Sequence, residues 1–274
     1  MAAVNPYREH SEEMVSKLEK AGLGYHIKAE NTRDQIGRIP LRRLVYRVRE
    51  IPSSLFPLIW DFGTLNDESE KKYILQMVQK SVIGQKYPTQ SAFIVDVLNQ
   101  SQNFMRSRQD ECSFVSLRDV ERALVVFTWF SNQVEILEQV NLRLNMNKKE
   151  EQQSNFTLSI VLALGVTYYA RLERRNQYVE TVSKKLQIQP GTFEAIIKSC
   201  QGVFIDEMKL ENTIAKNDAL NENVWMMAIC IELRIPLFLV GKPGSSKSLA
   251  KTIGKMHSKI VDIEPFSTLV KNNI

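Results

Sequence analysis

Cysteine and histidine are scarce, with three of each in 274 residues. Cys112, Cys200 and Cys230 are far apart in the chain, and no histidine stands at metal-ligand spacing from any of them. Zinc sites and disulfide frameworks need several such residues at short, regular spacing. The sequence therefore indicates neither, and we expect reduced thiols.

Long hydrophobic runs are also missing. The most apolar segment, residues 156–172, is interrupted by Thr157, Ser159, Thr167 and Arg171. Its apolar stretch is too short to span a bilayer, so we expect a buried helix and no transmembrane segment. The N-terminus lacks the charged and then apolar pattern of a signal sequence, and we expect a cytoplasmic protein.

The chain has little excess of one charge. Its 36 basic and 31 acidic residues leave a net charge of +5, and most basic residues stand beside acidic ones. A charge so mild and dispersed argues against nucleic acid as a partner. The hydrophobic content of 43% is enough for a sizeable core, in one large or two ordinary domains.

One segment carries a pattern with clear chemistry. Residues 235–240 are mostly apolar and precede Gly241, and the residues after Lys247 are typical of a helix start. The sequence thus predicts a buried strand, a glycine-containing turn and a helix in succession. Small residues in such a turn let backbone N–H groups surround phosphate oxygens, next to the positive end of the helix. The predicted phosphate-binding residues are Gly241, Lys242, Pro243, Gly244, Ser245, Ser246, Lys247 and Ser248.

The side chains of this segment predict ATP and Mg²⁺ as ligands. Lys247 is expected to reach the β- and γ-phosphates, and Ser248 to hold the metal ion. The usual phosphate-loop pattern has glycine before the lysine, whereas this chain has Ser246. The alternative is an ordinary glycine-bearing turn with a solvated lysine.

The remainder is predicted to be helical from residue 66 to residue 233, because apolar residues recur there at helical spacing. Residues 39–62 contain three prolines, so extended segments and turns are expected there. Asn66 or Asp67 can cap a helix, and Ser116 with Asp119 resembles a capping box. Further helices are expected over 156–174, 176–187, 192–206 and about 221–233.

Arg118 lies in the first turn of the helix that begins after Ser116, where a cation opposes the helix dipole. It either meets a phosphate or is an ordinary surface arginine. Residues 145–155 are polar and have no apolar period, which is typical of a linker. We therefore expect residues 1–144 and 156–274 to be separate packing units with few contacts between them.

Several segments resemble, in the same order, the mysterin-type E3 ubiquitin ligases, RING-finger proteins with tandem AAA+ ATPase modules. The serine before the lysine belongs to that family's pattern. The resemblance covers about residues 4–253, nearly the whole chain. Its most specific segments are residues 5–8, 23–25, 41–48, 60–63, 110–122 and 214–252.

The resemblance implies a mainly α fold with a partial α/β P-loop element, made of two incomplete AAA+ modules. Residues 1–144 would be the C-terminal part of one module, with its lid helices, and 156–274 the N-terminal part of the next, with its first strand and P-loop. Asn5 matches the sensor-1 residue, which positions the attacking water. Arg118 matches the sensor-2 residue, which contacts the γ-phosphate. Both would serve a nucleotide other than the one bound at Lys247.

The family also implies further AAA+ modules of a longer parent chain and the ubiquitin machinery as partners. From Gly254 onward the resemblance is not seen, so we expect a truncated gene model, a splice form or a pseudogene-like paralogue. Asp262 and Glu264 alternate as in a strand and are an alternative source of Walker B carboxylates, but Pro265 follows them closely. Three scattered cysteines cannot form a RING zinc site.

These observations leave two function classes open. The first is an ATP-binding fragment of an AAA+ ATPase that does not hydrolyse ATP by itself, because phosphoryl transfer also needs acidic magnesium ligands and a water-orienting group. The second is a non-enzymatic helical scaffold that packs against partners. Whether the chain is an enzyme is not decided by the sequence.

Overall fold

The computed structural model describes residues 53–59, 65–108, 115–145, 151–208, 217–239 and 244–260, with Glu12, Val15, Ser16 and residues 35–36 and 39–40. The chain divides into two compact units, Met1–Thr64 and Leu65–Ile274. Within the first unit, β1 (Gln35–Ile36) and β2 (Ile39–Pro40) form an antiparallel hairpin. A 3₁₀ helix follows at Ser53–Leu58, so β2 and this helix lie in the region predicted to hold extended segments and turns.

The described part of the second unit is helical, as predicted for residues 66–233. Short 3₁₀ helices at Pro88–Gln90 and Tyr169–Arg171 join some of the longer elements. The α-helices are α1 (Asp67–Lys80), α2 (Val82–Lys86), α3 (Ser91–Ser107), α4 (Leu117–Asn132), α5 (Val134–Arg143), α6 (Glu151–Thr167), α7 (Asn176–Leu186), α8 (Pro190–Glu207), α9 (Asp218–Glu232) and α10 (Lys247–Ile260).

The caps explain where several helices begin. Asn66 is the N-cap of α1, and its side-chain oxygen accepts a hydrogen bond from the Ser69 N–H at 2.8 Å. Ser116 and Asp119 form the predicted capping box of α4, in which the Ser116 N–H donates to the Asp119 carboxylate at 2.8 Å. Both caps satisfy backbone N–H groups that have no partner inside the helix.

Helix α6 lies at the centre of the unit. Apolar residues on all its sides are buried, and Leu158, Val161 and Leu164 are fully buried. A helix that is apolar all round belongs in a core, which confirms the prediction of a buried helix. Among the described residues, no helix has the combined length and apolar character needed to cross a bilayer.

The expectation of two separate packing units on either side of residues 145–155 is wrong. One hydrophobic core runs from Ile74 to Cys230 and includes residues from both sides. The Phe127 and Phe156 rings meet edge-on with centroids 5.5 Å apart. Helix α6 starts at Glu151, inside the predicted linker, because its polar first turn leads directly into the apolar residues that fill the core.

A smaller cluster seats α10 against α8 and α9. Ile205, Leu220 and Val224 pack there with Ala250 and Ile253 of α10. The position of α10 is therefore set by burial of its apolar face, while its N-terminus stays accessible. This arrangement holds the start of the helix that carries Lys247.

The strand predicted over residues 235–240 is absent from the described residues 235–239, which make no ladder. Ile235, Leu237 and Leu239 are half-buried, whereas Pro236 and Phe238 are exposed, Phe238 by 87%. A strand exists only through hydrogen bonds to a neighbour, and the described residues supply none here. The prediction of a core strand is wrong for these residues, although the mainly α class is confirmed.

Candidate functional site

The described part of the predicted phosphate loop contains two residues with left-handed backbone conformations. Gly244 and Ser246 both adopt left-handed conformations, with φ angles of +82° and +57°. Consecutive N–H groups around such residues can point toward one centre and form an anion-binding concavity. Ser246 occupies the place where the usual pattern has glycine, and it takes the backbone conformation that glycine favours.

Lys247 begins α10, as predicted, and α10 has no acidic residue in its first turn. The Lys247 ammonium donates to the Ser245 hydroxyl at 2.8 Å, so its charge is held beside the loop. The N–H groups and the dipole of the helix N-terminus add positive potential at the same place. The Ser248 side chain is exposed one residue further on.

A cavity of about 570 Å³ opens at this point. Its polar lining consists of Lys247, Ser248, Lys251 and Arg234, and no acidic side chain belongs to its lining in the described part of the chain. The rest of the lining comes from α9 and from the segment after it. These residues are Met227, Cys230, Ile231, Ile235, Pro236, Leu237 and Leu239.

This composition favours an anionic ligand with an apolar portion, because the lining combines cations and a hydroxyl with apolar groups. Burial raises the pKa of the Cys230 thiol to about 11, and Arg122 acts in the opposite direction. Cys230 is therefore a neutral thiol near pH 7, and it contributes apolar surface to the cavity.

Sequence reasoning missed a residue that contacts the loop. Asn223 of α9 donates from its side-chain amide to the backbone carbonyl oxygen of Ser245 at 2.9 Å. Glu222, which immediately precedes Asn223 in the sequence, pairs with Arg175. The Nη1 atom of Arg175 lies 3.1 Å from the Glu222 carboxylate. Neither role could be found from the phosphate-loop pattern, because both partners lie far from it in sequence.

The remaining predicted site residues lie elsewhere. Arg118 is exposed in the first turn of α4 and does not line the cavity. Its neighbour Asp119 is held by Arg122 and Arg171, each 3.2 Å from the same carboxylate oxygen. Asn5, Gly241, Lys242, Pro243, Asp262 and Glu264 lie outside the described residues. The structure thus brings together Ser245, Ser246, Lys247 and Ser248.

Comparison with known proteins places this loop in a family. A family model described as the RNF213 AAA domain matches residues 213–272. E3 ubiquitin-protein ligase RNF213 is 49% identical over 261 residues in Homo sapiens and 49% identical over 264 residues in Mus musculus. E3 ubiquitin-protein ligase rnf213-beta of Danio rerio is 48% identical over 257 residues. Each match covers 92% of this chain and 5% of the relative.

The chain belongs to the mysterin-type family. It spans about 5% of the length of the curated mysterin-type relatives that it matches. The resemblance was expected to end at Gly254, but the match to the AAA domain continues to residue 272. That expectation is wrong. The separate expectation of a strand-like alternation leading to Asp262 and Glu264 fails at Lys259 and Ile260, which belong to α10.

Proposed function

We propose that this chain is a nucleotide-binding part of a mysterin-type AAA+ ATPase, which binds ATP with Mg²⁺ at residues 241–248. The observation that carries the proposal is that two left-handed residues, Gly244 and Ser246, directly precede the N-terminus of α10, where Lys247 lines a cavity. Backbone N–H groups, a helix dipole and a cation are the three elements that bind phosphate in such loops.

Lys247 would contact the β- and γ-phosphates and neutralise part of their charge. Ser248 fits a magnesium ligand, because its hydroxyl is a hard oxygen donor at the second position of α10, beside the same cavity. Held by Ser248, Mg²⁺ would offset part of the phosphate charge. The apolar lining of the cavity, from α9 and the segment after it, offers surface to the rest of the ligand.

We propose no hydrolysis by this chain alone. Phosphoryl transfer also requires acidic magnesium ligands and a group that orients water, whereas the described lining of the cavity carries cations and a hydroxyl. Asn5 and Arg118, by their resemblance to sensor residues, would serve the nucleotide of the preceding module. In the same proposal, residues 1–144 close one module, residues 145–155 join it to the next, and residues 156–274 open that next module.

The wider biology is also proposed from the relatives. E3 ubiquitin-protein ligase is the name that the mammalian and fish proteins carry. The partners would be the other AAA+ modules of a longer chain and the ubiquitin machinery, in the cytoplasm. The alternative is a non-enzymatic scaffold, favoured by the continuous core from Ile74 to Cys230.

A fluorescent ATP-analogue titration with Mg²⁺ tests the proposal, using wild type and Lys247→Ala. Removing the cation should weaken binding by roughly 10- to 100-fold, since hydrogen bonds to charged groups contribute about 1.5–3 kcal/mol. Lys251→Ala is the matched control, because Lys251 also lines the cavity one turn later in α10. It should change affinity by less than about threefold, as expected for an exposed, screened charge.

Equal binding by wild type and Lys247→Ala would reject the phosphate-loop assignment and favour the scaffold. A phosphate-release assay run in parallel tests the absence of turnover. Steady release that depends on Lys247 would show that carboxylates outside the described lining, such as Asp262 and Glu264, complete the site.

A further inference from the structure

The contact between Asn223 and the loop is long-range and specific in its chemistry. A backbone carbonyl oxygen only accepts hydrogen bonds, so the side-chain amide nitrogen of Asn223 must face Ser245. The two atoms are 2.9 Å apart, and both residues are half-buried. Helix α9 thereby holds a peptide group of the loop.

The Ser245 carbonyl belongs to the peptide plane that also contains the N–H of Ser246. Because the peptide bond is planar and trans, the C=O and N–H of one plane point in opposite directions. Fixing the carbonyl toward Asn223 therefore aims the Ser246 N–H away from α9. Gly244 and Ser246, the residues on either side of Ser245, both have positive φ angles.

Asn223 is itself held firmly. Arg175 pairs with the adjacent Glu222, donates to the Leu172 carbonyl at 3.0 Å, and stacks on Tyr169 with its guanidinium 4.4 Å from the ring centroid. Val224, the next residue, is buried in the cluster that seats α10. An anchor fixed by neighbours on both sides can orient a loop, whereas a mobile side chain could not.

We propose that Asn223 is a positioning residue of the phosphate loop, which orients the Ser246 N–H toward the nucleotide phosphates through the Ser245 carbonyl. The inference rests on the proposed nucleotide binding and extends it to a residue outside the loop. Its consequence is that loss of the side-chain amide weakens phosphate binding without removing any group that touches the phosphates.

The test uses the whole chain and the same fluorescent ATP analogue with Mg²⁺. Asn223→Ala should bind about three- to tenfold more weakly than wild type, the effect of one net hydrogen bond. Asn223→Asp keeps the shape but replaces the donor by a carboxylate, and it should bind still more weakly. Asn221→Ala is the matched control, because Asn221 is on the same helix and its side-chain oxygen has no hydrogen-bond partner.

A second readout separates positioning from a general loss of structure. In the nucleotide-free protein, the backbone amide resonance of Ser246 should shift in Asn223→Ala and Asn223→Asp and stay in place in Asn221→Ala. Circular dichroism checks that each variant is folded. If Asn223→Ala does not fold, the test relies on Asn223→Asp, which is isosteric with asparagine.

Affinity of Asn223→Ala within twofold of wild type, or an equal loss in Asn221→Ala, would overturn this inference while leaving the phosphate loop intact. Absence of binding by wild type would overturn both proposals. A fall in thermal stability with unchanged affinity would show that the contact is purely structural, and this also overturns the positioning role.

Discussion

At the scale of single residues, the deeply buried carboxylate of Glu70 is paired with an arginine. The Glu70 side chain of α1 is 1% exposed, and Arg106 of α3 donates to both of its oxygens. This pairing raises the pKa of Arg106, because the hydrogen bond to Glu70 favours the charged form. Ions buried in this way are tolerated only when they are paired.

Glu70→Ala should lower the free energy of unfolding by about 2–4 kcal/mol, because it leaves the Arg106 charge partly buried without its partner. The control is Glu68→Ala, which breaks the exposed Glu68–Lys72 pair on the same helix. Its cost should stay under about 1 kcal/mol, the range for a surface ion pair near a helix N-terminus. Urea unfolding followed by circular dichroism measures both, and similar losses would contradict the importance of burial.

Some buried hydroxyl and amide groups are paired between distant parts of the chain. Gln102 donates to the Tyr168 hydroxyl and to the Ser116 carbonyl, at 3.1 and 3.0 Å, and Ser101 bonds the Tyr178 hydroxyl at 3.1 Å. Burial raises the pKa of Tyr168 well above its ordinary value, so the phenol stays neutral. These contacts join α3 to the start of α4, to Tyr168 and to α7.

At the scale of elements, the junction of α1 and α2 depends on one glycine. Ser81 ends α1 and caps α2, accepting a hydrogen bond from the Gly84 N–H at 3.1 Å. A Cβ atom on Gly84 would lie 1.9 Å from the Val78 carbonyl oxygen, a backbone atom that cannot move aside alone. The two helices can approach this closely only because Gly84 has no side chain.

Gly84→Ala should therefore destabilise the protein by about 2–3 kcal/mol, the usual cost of forced overpacking. Gly191 provides the control, since nothing lies within 4 Å of a Cβ built there in the first turn of α8. Gly191→Ala should leave stability unchanged or raise it by roughly 0.5–1 kcal/mol, because alanine restricts the unfolded chain. Equal melting temperatures for the two variants would refute the close approach.

At the scale of the molecule, the helices before and after residues 146–150 share one core. In the sequence, Trp129 of α4 precedes that segment and Trp225 of α9 follows it. Trp225 belongs to the core that runs from Ile74 to Cys230, and Trp129 packs against this core. A continuous core of this kind unfolds as one cooperative unit. The two tryptophans should then report the same transition.

The measurement uses two variants, each with a single tryptophan: Trp60→Phe/Trp225→Phe and Trp60→Phe/Trp129→Phe. In each variant, the urea midpoint from fluorescence should equal the midpoint from far-ultraviolet circular dichroism of the same protein. Comparison within a variant removes the effect of the substitutions on stability. A fluorescence midpoint at lower or higher urea concentration than the circular-dichroism midpoint would contradict the shared core and support two separate packing units.

Local signals in the sequence determined much of this protein. The caps at Asn66 and Ser116, the apolar spacing of α1, α3 and α4, the buried character of α6 and the start of α10 at Lys247 depend on residues within one or two turns of each other. Hydrogen bonds of caps and one-sided burial are properties of such neighbours, so the sequence alone could predict them. The loop from Gly244 to Ser248 was predicted on the same basis.

Contacts between distant residues were decided only by the tertiary structure. The shared core across residues 145–155, the missing ladder at residues 235–239 and the Asn223–Ser245 hydrogen bond all depend on which elements meet in space. A polar run looks the same in sequence whether it is a linker or the exposed first turn of a buried helix. An apolar run becomes a strand only when another strand supplies its hydrogen bonds. The sequence of the run itself does not show whether such a partner strand lies beside it.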